Sequence, residues 1–237
     1  MKLVFATGNK GKLREAAEIL GPEFELLSSA QAGVLEDVEE TGATLEENSI
    51  IKAEFIYQRT GLDCFADDTG LEVDALGGAP GVFTARYAGE GCCFDDNMNK
   101  LLAELAAMDK AAMAGHPVAP LVGHSGDPSA APLVPRTARF RSVVTLIIGG
   151  EKHFFEGVME GRIALQKAGC GGFGYDPVFI PTVTPELLQY LSPEEVAELS
   201  VPDRTVAELP EEVKNSISHR GKALRAMAAW LSGAKNA

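Results

Sequence analysis

Two loops rich in glycine and polar side chains carry most of the chemistry that this sequence offers. The first is Thr7-Gly8-Asn9-Lys10-Gly11-Lys12, and the second is Gly171-Gly172-Phe173-Gly174-Tyr175-Asp176-Pro177. A polar string, Ser218-His219-Arg220-Gly221, follows later, and two acidic pairs, Glu39-Glu40 and Asp67-Asp68, lie between the loops. Backbone N–H groups and cationic side chains bind phosphates, carboxylates bind divalent metals, and an aromatic ring stacks on a planar base. The set is therefore suited to holding a polyphosphate, a metal ion and a base.

The segment Thr7–Lys12 follows a predicted strand and precedes a predicted helix. Its two glycines permit tight turns, its two lysines add positive charge, and Thr7 and Asn9 add polar contacts. Backbone N–H groups at a helix N-terminus attract anions. The segment is not a Walker A loop, because Ala6 stands where that motif has its first Gly and Leu13 where it has Ser or Thr. An ordinary strand–turn–helix is the alternative interpretation.

The acidic pair Asp67-Asp68 is predicted to follow a short strand, Cys64–Ala66. Two adjacent carboxylates are costly to bring together unless a cation intervenes. Mg²⁺ prefers oxygen ligands and is usually held by one or two carboxylates plus substrate phosphates. Glu40 is a candidate second ligand, and Lys52, on the helix that follows, is a candidate partner for phosphate charge. The alternatives are a solvated acidic turn and a solvated lysine.

The string from Gly169 to Gly174 matches the G-x-G-x-x-G pattern of dinucleotide-binding proteins. That function is not predicted here, because Pro177 follows at once and the next segment has the pattern of a strand, so no helix begins at the loop. We expect instead a glycine-walled slot in which Phe173 is exposed and stacks on a base, an interaction of roughly 1–3 kcal/mol. A glycine-rich turn with a core phenylalanine is the alternative.

Hydrophobic periodicity and turn signals predict alternating strands and helices. Strands are predicted at residues 2–6, 25–28, 64–66, 140–148, 153–158 and 177–180, and helices at 10–20, 44–59, 95–108, 185–199 and 218–231. Capping boxes are predicted for Thr44 with Glu47 and for Ser192 with Glu195, and Asp95 is predicted to cap its helix. The class is α/β, with one long mixed sheet and flanking helices.

Bulk composition narrows the possible partners and compartment. A formal net charge of −13 disfavours a general nucleic-acid binder, which needs a basic face. The four cysteines have neither zinc-site nor disulfide-framework spacing. With no signal peptide or membrane-spanning run, we expect a cytoplasmic protein that does not bind membranes. Residues 109–136 are rich in Ala, Gly, Pro and Ser and are interpreted as a mobile insertion within a single domain, residues 1–237.

Several longer strings occur together and in order along nearly the whole chain. They are TGNKGK at Thr7–Lys12, EETG at Glu39–Gly42, ADDTGLEVDALGGAPGVFTARYAG at Ala66–Gly89, GGFGYDPVF at Gly171–Phe179 and ISHRGKAL at Ile217–Leu224. With them the chain resembles the inosine/xanthosine triphosphate pyrophosphatase family. It departs from the family pattern at Thr69, where Ser is more usual, and in stretches near 109–136 and 181–204 that are longer than the family needs.

The resemblance implies a homodimer with an elongated mixed sheet and flanking helices that form two lobes around a central substrate cleft. It also implies Mg²⁺-dependent hydrolysis of ITP, dITP and XTP to the monophosphate and pyrophosphate. Carried onto this chain, Asp68 is the catalytic carboxylate and binds metal, assisted by Glu40. The substrate-binding residues implied are Thr7, Gly8, Asn9, Lys10, Gly11 and Lys12 for the triphosphate, Lys52 for phosphate, Thr69, and Phe173, Gly174, Tyr175, Asp176, Lys214, His219 and Arg220 for the nucleoside.

The mechanism expected from this resemblance is attack of water at the α-phosphorus, with Asp68 positioning or deprotonating the water and Lys12 and Lys52 stabilising the leaving pyrophosphate. Donors at His219 and Arg220 would pair with the purine 6-carbonyl and reject adenine. Two alternatives stay open: a pyrophosphatase for modified pyrimidine nucleotides, and a non-catalytic regulator that binds nucleotide or RNA.

Overall fold

The computed structural model describes residues 1–114, 134–188 and 191–234, which form a mixed α/β fold. The strands are β1 (Lys2–Phe5), β2 (Glu25–Ser28), β3 (Cys64–Val73), β4 (Pro80–Gly81), β5 (Thr137–Ile148), β6 (Glu151–Ile163) and β7 (Phe179–Pro181). The helices are α1 (Lys10–Leu20), α2 (Leu45–Thr60), α3 (Phe94–Met113), α4 (Pro185–Leu188), α5 (Pro193–Leu199), α6 (Glu211–Ile217) and α7 (His219–Ala234). The predicted class is confirmed.

Within the described residues the strands form one mixed sheet in the order β2-β1-β3-β5-β6-β7, with β4 paired to β3. Strand β1 runs parallel to β2, with Lys2 opposite Glu25, and parallel to β3, with Val4 opposite Cys64. Strands β6 and β7 are antiparallel, as are β3 and β4. Because β1 and β3 are parallel and Phe5 lies opposite Phe65, the chain leaves β1 for the predicted phosphate loop beside Asp67 and Asp68 of β3.

The chain divides into two compact units. Unit 1 comprises Met1–Gly70, Arg141–Met159 and Asn215–Ala237, and unit 2 comprises Leu71–Phe140 and Glu160–Lys214. Most of the predicted insertion at 109–136 lies outside the described residues, although residues 109–113 belong to α3. Among the described residues, no helix is both long enough and apolar enough to pass through a membrane.

The core of unit 1 forms where α1 and α7 cover β1 and β3. Phe5 and Phe65 stack there with ring centroids 4.4 Å apart, and both are fully buried. One face of α7, which includes Leu224 and Met227, is buried in the same cluster. In unit 2, Phe140 on β5 and Phe179 on β7 pack with ring centroids 4.7 Å apart.

The bounds of α1 and β2 agree with the prediction because local signals fix them. The side chain of Asn9 caps α1, accepting hydrogen bonds from Gly11 N and Lys12 N. Gly21 ends the helix at a φ of 77°, which other residues rarely adopt. The chain then turns directly into β2.

The predicted end of the third strand is wrong. Strand β3 continues to Val73, so Asp67 and Asp68 lie inside the strand and not after it. Asp is disfavoured in strands because its carboxylate is seldom compatible with a half-buried surface. Here cationic side chains from neighbouring helices pair with both carboxylates, a tertiary compensation that propensity does not include.

The predicted helix caps were right in part. Thr44 Oγ1 accepts from Glu47 N, but the Glu47 carboxylate accepts from Ala43 N and not from the cap residue, so the capping box is half formed. Helix α3 is capped by Cys93 and not by Asp95. Asp96 is the third residue of the helix, and its carboxylate accepts a hydrogen bond from Cys93 N.

The prediction of one helix at 185–199 is wrong, because the structure contains two short helices there, α4 and α5. Residues 189 and 190 are not among those that the structure describes. Ser192 precedes a proline, which disfavours helical backbone at that residue. Ser192 is accordingly extended, and its capping box with Glu195 is confirmed.

Helix α6 was not predicted. The predicted strand at 177–180 is displaced to β7, after a short 3-10 turn at Asp176–Val178.

Strand β6 and helix α7 approach closely at Gly157. A Cβ atom at this position would lie 2.0 Å from the His219 carbonyl oxygen and 2.7 Å from Ala223 N, both backbone atoms. Glycine in a strand often marks such a close backbone approach. The absence of a side chain at Gly157 therefore sets how near the start of α7, which carries His219 and Arg220, lies to the sheet.

We expect Gly157→Ala to lower the free energy of unfolding by about 1–3 kcal/mol or more, because backbone atoms of α7 would have to move to admit the methyl group. Urea denaturation followed by circular dichroism measures this change. Gly233→Ala is the control, since Gly233 lies in α7 itself and a Cβ atom there would meet nothing within 4 Å. It should be neutral or stabilise by up to about 1 kcal/mol. Equal stability of the two variants would contradict the close-approach argument.

Candidate active site

The loop between β1 and α1 is shaped by its own side chains. Thr7 Oγ1 accepts from Asn9 N at 3.1 Å, and Asn9 Oδ1 accepts from Gly11 N at 2.8 Å and from Lys12 N at 3.2 Å. The stretch from Gly8 to Gly11 is exposed. The loop is thus a fixed, solvent-facing turn at a helix N-terminus, as the anion-binding prediction requires.

Asp67 is the electrostatic centre of unit 1. Both of its oxygens lie near Lys12 Nζ, at 3.0 and 3.1 Å, and its Oδ2 accepts from Arg220 Nε at 2.9 Å. Arg220 Nη1 also donates to Glu15 Oε2 at 2.5 Å. Although burial opposes ionisation, the charges of Lys12 and Arg220 hold the pKa of Asp67 well below its usual range. Asp67 is therefore a fully ionised, fully paired carboxylate.

Asp68, the next residue, has different surroundings. Its Oδ1 lies 2.6 Å from Lys52 Nζ, and its Oδ2 accepts a long hydrogen bond, 3.4 Å, from Asn48 Nδ2. Lys52 Nζ also donates to Glu40 Oε1 at 3.2 Å. Burial raises the pKa of Asp68 above its ordinary value, against the opposing charge of Lys52. Asp68 is thus less completely compensated than Asp67.

Asp67 and Asp68 do not share a single cation. Successive side chains of a strand point to opposite faces, so Asp67 and Asp68 meet different cations. Thr69 returns to the side of Asp67, with its Oγ1 3.5 Å from Asp67 Oδ2 and 3.1 Å from Ser142 Oγ. The cations that the acidic pair was expected to need are supplied by the protein itself.

The carboxylates of Glu40 and Asp68 converge on one ammonium group, which shows that this position accommodates a cation. Their chemistry fits Mg²⁺, which takes oxygen ligands and often only one or two carboxylates. In the described part of the chain, no group of three or more His, Cys, Asp or Glu side chains is arranged to hold a metal. A divalent ion held by Glu40 and Asp68 would therefore complete its coordination with water or phosphate oxygens.

The second predicted loop forms a separate group in unit 2. Phe173 is 49% exposed, as expected. Lys214 Nζ lies 4.3 Å from the centre of its ring and donates to Asp176 Oδ2 at 2.6 Å, while Phe173 N donates to the same oxygen at 2.8 Å. The structure thus brings Lys214 to the loop across 38 positions of sequence. One face of the Phe173 ring is covered by the ammonium group.

Glycine and tyrosine fix the shape of this loop. Gly172 has a φ of 73°, and a Cβ atom there would lie 2.1 Å from Asp176 Oδ2. Tyr175 is buried, and its hydroxyl donates to the Thr84 carbonyl oxygen at 3.0 Å. The Tyr175 side chain therefore anchors the loop, so Tyr175 has only its backbone left to contact a ligand. No helix begins at the G-x-G-x-x-G match, in agreement with the prediction.

The structure distributes the remaining predicted residues between the two units. His219, partly buried, and Arg220, buried, begin α7 in unit 1, whereas Lys214 belongs to unit 2. Sequence reasoning missed Glu15 and Asn48. Helical spacing gives a signal for both, because Glu15 lies three residues after Lys12 and Asn48 four residues before Lys52, on the same helix faces.

The fold and these groups together define an α/β protein with an exposed loop at a helix N-terminus beside buried, lysine-paired carboxylates. Comparison with known proteins gives the family: the family model described as the Ham1 family matches residues 3–130 and 127–230. A Flavobacterium johnsoniae protein named dITP/XTP pyrophosphatase is 41% identical over 99% of this chain and 100% of its own length. A Porphyromonas gingivalis protein of the same name is 44% identical over 99% of both chains.

Solved structures agree with the sequence relatives. A HAM1 protein from Coxiella burnetii has a TM-score of 0.75 at 34% identity, covering 98% of this chain and 99% of that one. A structure from Mycobacterium abscessus titled nucleoside-triphosphatase / dITP/XTP pyrophosphatase has a TM-score of 0.64 at 37% identity with the same coverage. The chain belongs to the Ham1 family, and the resemblance inferred from its motifs is confirmed.

We expect Asp67→Asn to lower the free energy of unfolding by about 3–5 kcal/mol, because Lys12 and Arg220 would lose the buried charge that pairs them. Urea denaturation at neutral pH measures the loss. Asp68→Asn is the matched control. It should change stability much less, since Lys52 keeps Glu40 as a partner and burial already disfavours the charged form of Asp68. Equal losses in the two variants would contradict this division between the neighbours.

Proposed function

We propose that this protein hydrolyses purine nucleoside triphosphates that carry hypoxanthine or xanthine, namely dITP, XTP and ITP, to the monophosphate and pyrophosphate. The observation that carries this proposal is the full-length similarity to relatives named dITP/XTP pyrophosphatases, at 41 and 44% identity. The anion-binding loop and the buried carboxylates of unit 1 support it, because hydrolysis of a triphosphate needs both charge neutralisation and a carboxylate near the reacting water.

Glu40 and Asp68 are the residues that we propose to hold Mg²⁺. The ion would supply positive charge that polarises phosphate oxygens and offsets the charge that develops during cleavage. The convergence of the two carboxylates on one cation supports this assignment. Asp67 is not proposed as a ligand, because Lys12 and Arg220 already occupy its oxygens.

The chain's own residues would perform the remaining steps. The exposed backbone and lysines of Thr7–Lys12 would bind the triphosphate, with Thr69 as a further substrate contact. Asp68 would orient the attacking water and accept its proton, since its Oδ2 is held only by a long hydrogen bond. Lys12 and Lys52 would stabilise the negative charge of the departing pyrophosphate.

We assign recognition of the base to two sets of residues. Phe173 would stack on the purine ring, and Asp176 and Lys214, with the backbone of Gly174 and Tyr175, would shape its surroundings. His219 and Arg220 would donate to the purine 6-carbonyl, which an adenine amino group cannot accept. Asp67 and Glu15 support this role by holding the Arg220 guanidinium.

We also propose that residues 1–237 form one functional domain, that the protein is a homodimer and that it is cytoplasmic. The family model supports the first proposal, since its matches span both compact units. The dimer follows from the resemblance described for the sequence, and the compartment is the one expected from the sequence alone.

Release of pyrophosphate from ITP, XTP, dITP, GTP, ATP and dUTP, with Mg²⁺ and with a chelator, tests this function. We expect Mg²⁺-dependent release from ITP, XTP and dITP and far slower release from ATP and dUTP. Preferred hydrolysis of dUTP or another pyrimidine nucleotide would overturn the purine assignment. No release from any nucleotide would favour a non-catalytic binding protein. Asp68→Asn, which should fold, serves as the inactive reference in the same assay.

Substitution of Phe173 tests the stacking assignment. We expect Phe173→Ala to raise KM for dITP about 5- to 150-fold, the equivalent of losing roughly 1–3 kcal/mol of base stacking. Steady-state kinetics measure it. Phe154→Ala is a control of equal chemistry, since Phe154 is 52% exposed on β6 and belongs to neither candidate group. If both variants kept the wild-type KM, Phe173 would not contact the base.

A further inference from the structure

Asn48 is a buried polar residue near the start of α2 for which the proposed reaction has no direct use. Its side chain is fully inaccessible to solvent. It lies one helical turn before Lys52, so the two side chains share a helix face, and both contact Asp68. A buried amide is costly unless both of its ends find hydrogen-bond partners. The partners of Asn48 therefore indicate what it does.

The carbonyl end of Asn48 fastens the loop that carries Glu40. Gly42 N donates to Asn48 Oδ1 at 2.7 Å. A Cβ atom at Gly42 would lie 2.6 Å from that oxygen and 2.7 Å from Glu47 Cβ, so the loop rests directly on the helix. A second bond, from Ala43 N to Glu47 Oε2 at 2.6 Å, holds the next residue. The backbone two residues after Glu40 is thus fixed to the first turns of α2.

The amino end of Asn48 faces Asp68. Because the Gly42 N–H requires an acceptor, the amide must present its oxygen to the loop and its NH₂ group to the carboxylate. Nδ2 then donates to Asp68 Oδ2 at 3.4 Å. One planar side chain therefore spans from the Glu40 loop to Asp68, the two segments that carry the proposed metal carboxylates.

We propose that Asn48 is a positioning residue that sets the separation of the Glu40 and Asp68 carboxylates and thereby the affinity of their cation site. The inference rests on the proposed function, in which these carboxylates hold the divalent ion. Lys52 touches both carboxylates but does not fix their spacing, because its ammonium group is carried on a flexible four-carbon stem. The amide of Asn48 is planar and held at both ends, so it acts as a spacer of defined length.

The test uses Mn²⁺ as the probe, with binding to the nucleotide-free full-length protein followed by the electron paramagnetic resonance signal of free Mn²⁺. We expect Asn48→Ala to weaken Mn²⁺ binding about 10- to 100-fold, the effect typical of removing a side chain that orients a metal ligand. The Mg²⁺ concentration that gives half-maximal pyrophosphate release from dITP should rise by a similar factor. At saturating Mg²⁺, KM for dITP should change far less.

Two further variants separate positioning from folding. Gly42→Ala leaves the Asn48 amide in place but pushes the loop away from it, so it should weaken Mn²⁺ binding as well. Ser49→Ala is the matched control: Ser49 is the next residue of α2, is equally buried, and bonds to Thr145 and to the Ala66 carbonyl, not to either carboxylate. It should lower the melting temperature with Mn²⁺ affinity unchanged.

The outcomes distinguish this inference from the function on which it rests. If Asn48→Ala and Gly42→Ala lower the melting temperature as Ser49→Ala does, but bind Mn²⁺ like the wild type, the positioning role is overturned. If the wild type binds Mn²⁺ but releases no pyrophosphate from any nucleotide, the proposed function fails and the binding data still decide the role of Asn48. A wild-type protein that binds no Mn²⁺ overturns the positioning role, whereas the proposed function is decided by pyrophosphate release alone.

Discussion

The ion cluster around Asp67 is the interaction on which unit 1 depends. A carboxylate only 2% exposed is paired with Lys12 from α1 and Arg220 from α7, and Glu15 supplies a second negative charge to Arg220. Buried charges of this kind are tolerated only when geometry and charge balance are nearly complete. The cluster therefore fixes three elements, β3, α1 and α7, against one another, and the loop Thr7–Lys12 ends at the same lysine.

The neighbouring carboxylate shows the opposite treatment. Asp68 is also buried, yet it has one lysine, shared with Glu40, and a single long hydrogen bond from Asn48. Side chains whose pKa values are shifted by burial and by neighbouring charges occur most often at functional sites. Two adjacent residues of identical chemistry thus have different surroundings, because α1 and α7 neutralise the first and α2 leaves the second incompletely satisfied.

The sequence was sufficient wherever structure is decided locally. Asn9 and Gly21 determine α1, and the glycines at 149 and 150, both at positive φ, determine the turn between β5 and β6. It was insufficient wherever distant partners decide. The length of β3 depends on cations from α1, α2 and α7, and the association of Lys214 with Asp176 depends on folding across 38 residues.

The same distinction holds within the candidate site. Sequence analysis identified Lys12, Lys52 and Asp68 as residues with functional chemistry, but it did not show which carboxylate each lysine contacts. That pairing follows from the pleat of β3, which alternates side chains between faces. Glu15 and Asn48 went unnoticed because neither belongs to a motif, and each becomes recognisable only by its spacing from a lysine on the same helix.

Because Asp67 and Asp68 pair with cations on opposite faces of β3, they also bear on how the strand reaches its register during folding. A one-residue slip in either direction exchanges the faces of every side chain. Slipped one way, Ala66 would face Lys12 and Arg220. Slipped the other way, Asp68 would meet those cations and Thr69 would face Lys52. Either misalignment leaves a buried cation without its carboxylate, so the residues proposed for catalysis also select the native register of the sheet.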